Sequence, residues 1–369
     1  MTVLPPGSTI GILGGGQLGR MLAMAAARLG LKSHIYADAP GPAFDVAHRR
    51  TIGAFEDLGA VRAFAETVDV VTYEFENVPL GAAAAAAAAR PVRPGPRALE
   101  VSQDRIVEKR FVDSLGLPVA PFAAVDSLAD LTAALTTIGV PAILKTCRNG
   151  YDGKGQARIL SAEDPGWAWD AIGTQSAILE GFVPLTAEIS ILVVRSLSGQ
   201  VAFYDVPRNV HRDGILATST VPAGVAPCVI AQAHRIGQRI ADALDYVGVL
   251  TVEMFLLEGP DGAHLVVNEM APRVHNSGHW TLDACVVSQF ENHVRAIAGW
   301  PLGSTARHCD AVMTNLIGAD AADWAAMAAR ADTALHLYGK HDPRPGRKMG
   351  HATRIVPKAA ALVPPEPEA

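Results

Sequence analysis

Apolar positions in the first hundred residues fall alternately into short continuous runs and longer stretches of helical composition. Thr9–Leu13 reads as a strand, Gln17–Leu29 as a helix, Ser33–Ala37 as a second strand before the turn-like Asp38-Ala-Pro-Gly41, and Val68–Tyr73 as a further strand. Such alternation implies a parallel sheet covered by helices. Gly81 is followed by eight alanines, a composition that favours helix because alanine loses no side-chain entropy there. Pro91, Pro94 and Pro96 then break the chain, and a helix resumes over Ser102–Leu115 with Ser102 as its cap. A domain boundary near residue 100 follows.

The pattern then changes to hairpins. The strand Ala142–Lys145 leads into the glycine-rich Asn149–Gly155 and the strand Gln156–Leu160, so the loop tops a hairpin over whatever it covers. Strands near 176–180 and 186–194, a helix over Ala231–Leu244 and a hairpin at 249–270 complete the middle of the chain. Beyond residue 335 the sequence is turn-rich and basic, and Leu362–Ala369 reads as a disordered tail. In the hairpin, pairing about a centre near residue 261 sets Glu253 opposite Glu269. Carboxylates so placed have Cβ atoms about 5 Å apart and repel unless something positive lies between them. A hard divalent cation such as Mg²⁺, held by one or two carboxylates plus nucleotide phosphates, resolves the repulsion; an exposed pair relieved by water is the alternative.

A length of 369 residues suits two or three domains. Charged residues are 18% of the chain and the net charge is −6, which argues against a protein that coats nucleic acid or an acidic membrane but leaves room for a local basic pocket. Apolar residues make up 49%, yet no uncharged run reaches the roughly 18 residues of a membrane span, and the start lacks the pattern of a secretory signal. The expectation is a soluble protein. Cys147, Cys228, Cys285 and Cys309 form no CxxC pair, so reduced thiols in a cytoplasm are the default.

Gly14-Gly-Gly-Gln-Leu-Gly19 fits G-x-G-x-x-G between a strand and a helix, with Asp38 about 20 residues on. Its glycines let backbone approach a phosphate at a helix N-terminus. A nicotinamide or flavin site, a site for another phosphorylated ligand and a purely structural turn all remain open on this pattern. The loop Gly150-Tyr-Asp-Gly-Lys-Gly155 fails the P-loop pattern. It reads either as a lid over a triphosphate, with Lys145 and Lys154 as countercharge, or as an ordinary hairpin tip.

Five segments resemble one family: Gly14–Met21, Gly150–Gln156, Asn209–Leu216, Asn268–Trp280 and Gly346–His351. Together, in order over residues 9–355, they are similar to the N5-carboxyaminoimidazole ribonucleotide synthetases, ATP-grasp enzymes of bacterial and fungal purine synthesis. The resemblance implies an α/β and α+β chain, with a Rossmann-like acceptor-substrate domain over 1–104. The smaller ATP-grasp domain would span 105–185, the larger 186–357, and a tail 358–369. It implies ATP with Mg²⁺ or Mn²⁺ as cofactors, bicarbonate and 5-aminoimidazole ribonucleotide as substrates, and a cytoplasmic homodimer with no nucleic-acid or membrane partner. Asp38 thereby loses its ribose assignment. Gln17, Leu18 and Glu74 would face the ribonucleotide, approached by Tyr151 and Asp152, while Lys340, Arg347 and Lys348 would meet its phosphate. At the nucleotide, Arg105 and Lys145 look like the phosphate-binding cations, and Gly150, Tyr151, Asp152, Gly153, Lys154, Gly155 and Gln156 like the lid. Glu180, Gly181, Phe182 and Val183 correspond to the adenine hinge, Glu188 to the ribose carboxylate and His211 to a further contact. Glu253 and Glu269 match the metal ligands, with Asn268 beside them. Lys154, Arg273, His275 and Asn276 would serve the chemistry.

Formate-dependent glycinamide ribonucleotide transformylase has a related Asn/Ser-Glu-x-x-Pro-Arg-x-His segment and is the nearest rival; a dehydrogenase and a non-enzymatic binding module are more distant ones. His275 and His279 are four apart, but Asn276-Ser-Gly278 between them disfavours a zinc helix. Trp167, Trp169 and Trp324 read as packing residues. Residues 335–358 hold six basic side chains against Asp342 alone. The net charge therefore averages an acidic body with one concentrated basic segment, where a phosphate monoester should sit.

Overall fold

The computed structural model describes residues 3–148, 150, 155–173, 176–259 and 262–358. Four of the expected lid residues, Tyr151, Asp152, Gly153 and Lys154, lie outside them, as does the expected tail beyond Lys358. The described strands form three sheets.

The first sheet is parallel, as the alternating pattern predicts. Its strands β1 (Thr9–Leu13), β2 (Lys32–Ala37), β3 (Arg49–Ile52) and β4 (Val70–Tyr73) lie in the order β3-β2-β1-β4. The alanine run forms helix Leu80–Ala87, whose Ala82, Ala83 and Ala86 bury against Val61, Phe64 and Ala65 of helix Leu58–Glu66. Ser102 is not a cap. Pro96 at a first turn starts a separate helix, Pro96–Ser102, and helix Arg105–Ser114 is capped by Asp104, whose carboxylate accepts from the Ile106 and Val107 amides at 3.0 and 3.3 Å.

The second sheet is antiparallel: β5 (Phe122–Val125), β6 (Ala142–Thr146), β7 (Gln156–Ile159) and β8 (Ala177–Gly181), in the order β5-β8-β6-β7. The third has nine strands: β9 (Ala187–Arg195), β10 (Val201–Phe203), β11 (Arg208–Arg212), β12 (Ile215–Val221), β13 (Gly248–Gly259), β14 (Gly262–Ala271), β15 (Asp310–Ile317), β16 (Thr333–Leu337) and β17 (Lys348–Val356). They run β14-β13-β9-β11-β12-β15-β17-β16, with β10 added beside β9. Two of these, β16 and β17, replace part of the turn-rich segment expected beyond residue 335.

Strand β9 shows why its sequence is continuously apolar. Ile191 and Val193 point into one core with Ile236 and Ile240 of helix Pro227–Ala243. Leu192 and Val194 point into another, with Phe290 and Ile297 of helix Gln289–Ala298. A strand covered on both faces has no polar side to show. The second core also holds Leu22 and Ala26 of helix Gln17–Arg28, so it joins the parallel sheet's layer to the large sheet. Polar contacts reinforce that junction: Thr72 Oγ1 lies 2.8 Å from His293 Nε2, and Arg93 donates to the Ile297 carbonyl at 2.6 Å. The start of the helix after the glycine loop is thereby held near the Arg273–Asn276 segment.

Candidate active site

The glycine loop is filled by the protein itself. Glu74, 7% exposed at the end of β4, accepts hydrogen bonds from the Gly16 amide and, at 2.7 Å, from the Gly19 amide. Donors that a dinucleotide's pyrophosphate would use are taken by a carboxylate. The glycines are needed for closeness: a Cβ on Gly14, whose φ is +113°, would lie 2.4 Å from Glu74 Cγ, and one on Gly16 would lie 2.5 Å from Glu74 Oε1. Of the three readings of this loop, the dinucleotide site is removed. Burial raises the Glu74 carboxyl, and the two amides pull it back only in part.

The β13–β14 hairpin pairs Glu253 with Glu269, as the sequence predicts, by a somewhat different route. From Gly259↔Gly262 to Met254↔Val267 the register centres between residues 260 and 261, and a bulge at Asn268 shifts it by one before the glutamates meet. Each carboxylate has its own partner: Arg105 Nη1 donates to Glu269 Oε2 at 2.8 Å, and His275 Nε2 lies 3.0 Å from Glu253 Oε1. Burial alone would raise the Glu253 carboxyl, but the His275 hydrogen bond and charge hold it at about 2. Bulged Asn268 leaves Oδ1 buried with no hydrogen-bond partner among the described residues. Two carboxylates and an orphaned amide oxygen are an all-oxygen donor set, which fits Mg²⁺ or Mn²⁺.

These residues line a cleft of about 380 Å³ with Arg105, Lys145, Gly150, Gly155, Gln156, Glu188 and His211. On the β9–β11 wall, His211 Nδ1 lies 2.5 Å from Glu188 Oε2. Burial would lower that imidazole, but the Glu188 hydrogen bond and charge raise it above its ordinary value. The expected hinge differs: Glu180, Gly181, Phe182 and Val183 do not line the cleft. Glu180 is 3% exposed, and its carboxylate turns to Lys145 Nζ at 2.7 Å and Lys109 Nζ at 3.4 Å. Burial would raise its carboxyl, yet the two lysines hold it at about 2. The Phe182 ring lies under the Arg158 guanidinium, 4.4 Å from its centroid.

A second cleft of about 260 Å³ is lined by Gln17, Leu18, Glu74, His279 and Tyr338. Its wall is shared with the first at Glu76, Asn77, Arg273, His275, Asn276 and Lys348. The intervening 3-10 turn, Asn276–Gly278, is no zinc helix. His275 is fixed there by Ser277 Oγ, 2.9 Å from its Nδ1, and by Gln289, which accepts from its backbone N–H at 2.9 Å and donates to its carbonyl at 2.7 Å. Asn276 exchanges amide hydrogen bonds with Asn315 at 2.9 and 2.7 Å. Of the basic trio, Lys348 lines both of these clefts, and Lys340 and Arg347 line neither. Lys340 donates to the Lys348 carbonyl at 2.9 Å, and Arg347 donates to the Asp342 carbonyl at 3.0 Å. Burial, then Arg347, lowers the Lys340 ammonium to about 8.

Residues 110–290 match the ATP-grasp domain, residues 7–103 the ribonucleotide synthetase preATP-grasp domain, and residues 311–363 the phosphoribosylaminoimidazole carboxylase C-terminal domain. The N5-carboxyaminoimidazole ribonucleotide synthase of Brucella melitensis is 52% identical over 360 residues, covering 97% of this chain and 99% of that one. The chain belongs to the N5-carboxyaminoimidazole ribonucleotide synthase family. The Pseudomonas aeruginosa synthase is 44% identical over 353 residues, 96% of each chain. The crystal structure of the Aspergillus clavatus N5-carboxyaminoimidazole synthase in complex with ADP and 5-aminoimidazole ribonucleotide matches at TM-score 0.88 and 31% identity, over 95% of this chain and 94% of that one. An ATP-grasp fold behind a Rossmann-like preATP-grasp domain is therefore the architecture of this synthase-family chain.

Three charged residues of this family member's site escape a reading from sequence. Glu76 forms a close ion pair with Arg273 in the shared wall; burial would raise its carboxyl, but Arg273 holds it at about 2. Lys109 is 2% exposed and donates to the carbonyls of Val267 and Asn268 at 3.2 and 2.8 Å. Glu108, 3% exposed, accepts from the Met270 amide at 2.5 Å, and burial, then the charge of Glu269, raises it to about 8. One signal was available for Lys109. It stands three residues from both Ile106 and Val112, on the apolar stripe of helix Arg105–Ser114.

These carboxyls pull stability in opposite directions. Glu76, Glu180 and Glu253 stabilise the fold above the ordinary value of 4.5, and that contribution is lost as pH falls towards 2. Glu108 contributes fully below 4.5, and its contribution is lost as pH rises through 8. In Glu108→Gln, whose amide oxygen still accepts from Met270, Tm should exceed the parent's by an amount that grows to a few degrees, roughly, between about pH 5 and 9. Melting curves of both proteins across that range are the check; parallel curves would remove Glu108 from the pH response.

Proposed function

We propose that the chain is an ATP-dependent carbon–nitrogen ligase that carboxylates 5-aminoimidazole ribonucleotide with bicarbonate, giving the N5-carboxy derivative in purine synthesis. The observation that carries this is the shared wall: a cleft with opposed glutamates and basic side chains opens, through Arg273, His275, Asn276 and Lys348, onto a second cleft beneath the glycine loop. A carboxyl unit activated in one can reach an amine held in the other without crossing solvent. Bicarbonate resists direct attack because hydroxide is a poor leaving group; its phosphorylation to carboxyphosphate replaces hydroxide with phosphate.

Glu253, Glu269 and Asn268 would hold the divalent ion, which when bound supplies charge neutralisation for the triphosphate. Arg105 and Lys145 place positive charge along the phosphates, Glu188 and His211 face the ribose, and the 180–183 segment, tied to the cleft through the 2.7 Å contact of Glu180 with Lys145, would border the adenine. Arg273, His275 and Asn276 orient the bicarbonate-derived group, with Lys154 as a further cation. Closure of the 150–156 loop excludes water, to which carboxyphosphate is sensitive. Gln17, Leu18, Tyr151 and Asp152 receive the ribonucleotide, with Glu74 holding the loop beneath it. Lys340, Arg347 and Lys348 serve its phosphate. The three sheets support domains at 1–104, 105–185 and 186–357; a tail over 358–369 is proposed from the sequence alone, residues 359–369 lying outside the described ones. Among the described residues no helix is long and apolar enough to cross a membrane. A cytoplasmic homodimer is proposed on family membership.

Phosphate release from ATP, measured with bicarbonate or with formate, each with and without aminoimidazole ribonucleotide, tests this function. Release coupled to product should require bicarbonate and the ribonucleotide together; a requirement for formate would overturn the reading in favour of a transformylase. Lys348→Ala should raise the KM for the ribonucleotide on the order of tenfold or more, and that for ATP much less. Because Lys348 lines both clefts, equal effects on the two would refute its placement at the ribonucleotide phosphate.

A further inference from the structure

One cluster of titratable side chains lines neither cleft. His336 on β16 and His351 on β17 stand directly opposite in antiparallel register, with rings stacked 4.4 Å apart at 11°. Asp283, in the short helix Thr281–Ala284, places both carboxylate oxygens 3.0 Å from His336 Nε2. One ligand atom from each of the three residues lies within 4.8 Å of the others. His351 is fully buried. Its Nδ1 is 2.9 Å from the Tyr338 hydroxyl, while its Nε2 is buried with no hydrogen-bond partner among the described residues.

A buried imidazole nitrogen facing no partner is costly, and most folds avoid it. If His351 Nδ1–H donates to the Tyr338 oxygen, the Nε2 lone pair is left exposed to a Lewis acid. Fixing one tautomer through the far ring nitrogen is how proteins prepare a metal-ligating histidine. We propose that Asp283, His336 and His351 form a binding site for a transition-metal dication of the zinc type, separate from the all-oxygen site at Glu253 and Glu269.

Two imidazoles and one carboxylate favour Zn²⁺ or Co²⁺ over Mg²⁺ and Ca²⁺, which take oxygen ligands. Tetrahedral zinc with bonds near 2.1 Å sets its ligand atoms about 3.4 Å apart, so the three groups need to close by no more than roughly 1.4 Å, within reach of side-chain rotation. The side chains of Asp283 and His336 are 14% and 29% exposed, which gives an ion a way in. A bound ion would tie β16 and β17 to the segment that follows His275 and His279. Strand β17 begins at Lys348, and the chain after β16 carries Tyr338 and Lys340, so the clamp would brace the basic side of the acceptor cleft.

The test uses the full, tag-free chain, stripped with a chelator and titrated with Co²⁺ and then Zn²⁺. Expected are one Co²⁺ per chain with the visible absorption of a nitrogen-ligated four-coordinate site, its displacement by Zn²⁺, and a Zn²⁺-dependent rise in Tm that Mg²⁺ does not reproduce. All three should persist in Glu269→Gln. Affinity should fall at least about tenfold in His336→Gln and in Asp283→Asn, two partly exposed positions where folding is expected to survive. Absence of visible Co²⁺ absorption in the parent chain, unchanged affinity in both variants, or loss of binding in Glu269→Gln would each overturn the proposal.

Discussion

Glu269→Gln should lower turnover on the order of 10³-fold while leaving the fold intact. The glutamine keeps the size of the side chain, and its amide oxygen can still accept from Arg105, which now donates at 2.8 Å. What disappears is one of two charges facing each other across the β13–β14 hairpin. With only Glu253 left, the affinity for Mg²⁺-ATP should fall and higher Mg²⁺ should restore part of it. A second consequence separates lost charge from lost shape. Glu108 is pushed up by burial first and by the charge of Glu269 second, so the variant's Glu108 carboxyl should titrate lower and its melting curve should decline less on the alkaline side. Steady-state kinetics over a Mg²⁺ series and melting over a pH series read the two effects. Turnover equal to the parent's would remove the metal assignment.

The glutamate pair shows how far a sequence can carry such an argument. Two apolar runs flanking Gly259-Pro-Asp-Gly262 were enough to oppose residues 253 and 269 about a centre near residue 261, because a hairpin's register follows from what joins its strands. They could not reveal that the strand register up to Met254↔Val267 centres half a residue earlier, or that a bulge at Asn268 restores the pairing. A bulge depends on what the neighbouring strand and helix demand of the backbone, and here it also turns the Asn268 oxygen inward. The glycine loop is similar: G-x-G-x-x-G correctly announced a strand, a tight turn and a helix, but its occupant, Glu74, comes from 55 residues further along. Local pattern finds the donors, and only the assembled sheet says what accepts from them. Lys109 and Glu180, 71 positions apart in the chain, meet only because β8 and helix Arg105–Ser114 pack together. Between β16 and β17, prolines and basic residues masked two strands whose pairing partners lie in β15 and in each other.

Arg273 and Glu76 should show stability and catalysis coming apart. They form a close ion pair in the wall between the clefts, with side chains 16% and 30% exposed. Removing one partner strands the other's charge in a poorly solvated place, so Arg273→Gln and Glu76→Gln should each cost about 2–4 kcal/mol of stability. The double variant pairs two neutral amides and should be more stable than the sum of the single losses, by a coupling of roughly 1–3 kcal/mol. Its activity should not follow. Arg273 faces both clefts, and a neutral side chain there cannot balance negative charge developing as the carboxyl group passes between them. The double variant is therefore expected to melt above the temperature that the summed single losses would give, while its turnover stays depressed on the order of 10²-fold or more. Glu76→Gln alone should behave differently again, because its Arg273 keeps the positive charge but loses the anchor that aims it. Recovery of turnover in step with this partial gain in Tm would show that Arg273 serves only the fold, and the shared wall would then owe its chemistry to His275, Asn276 and Lys348.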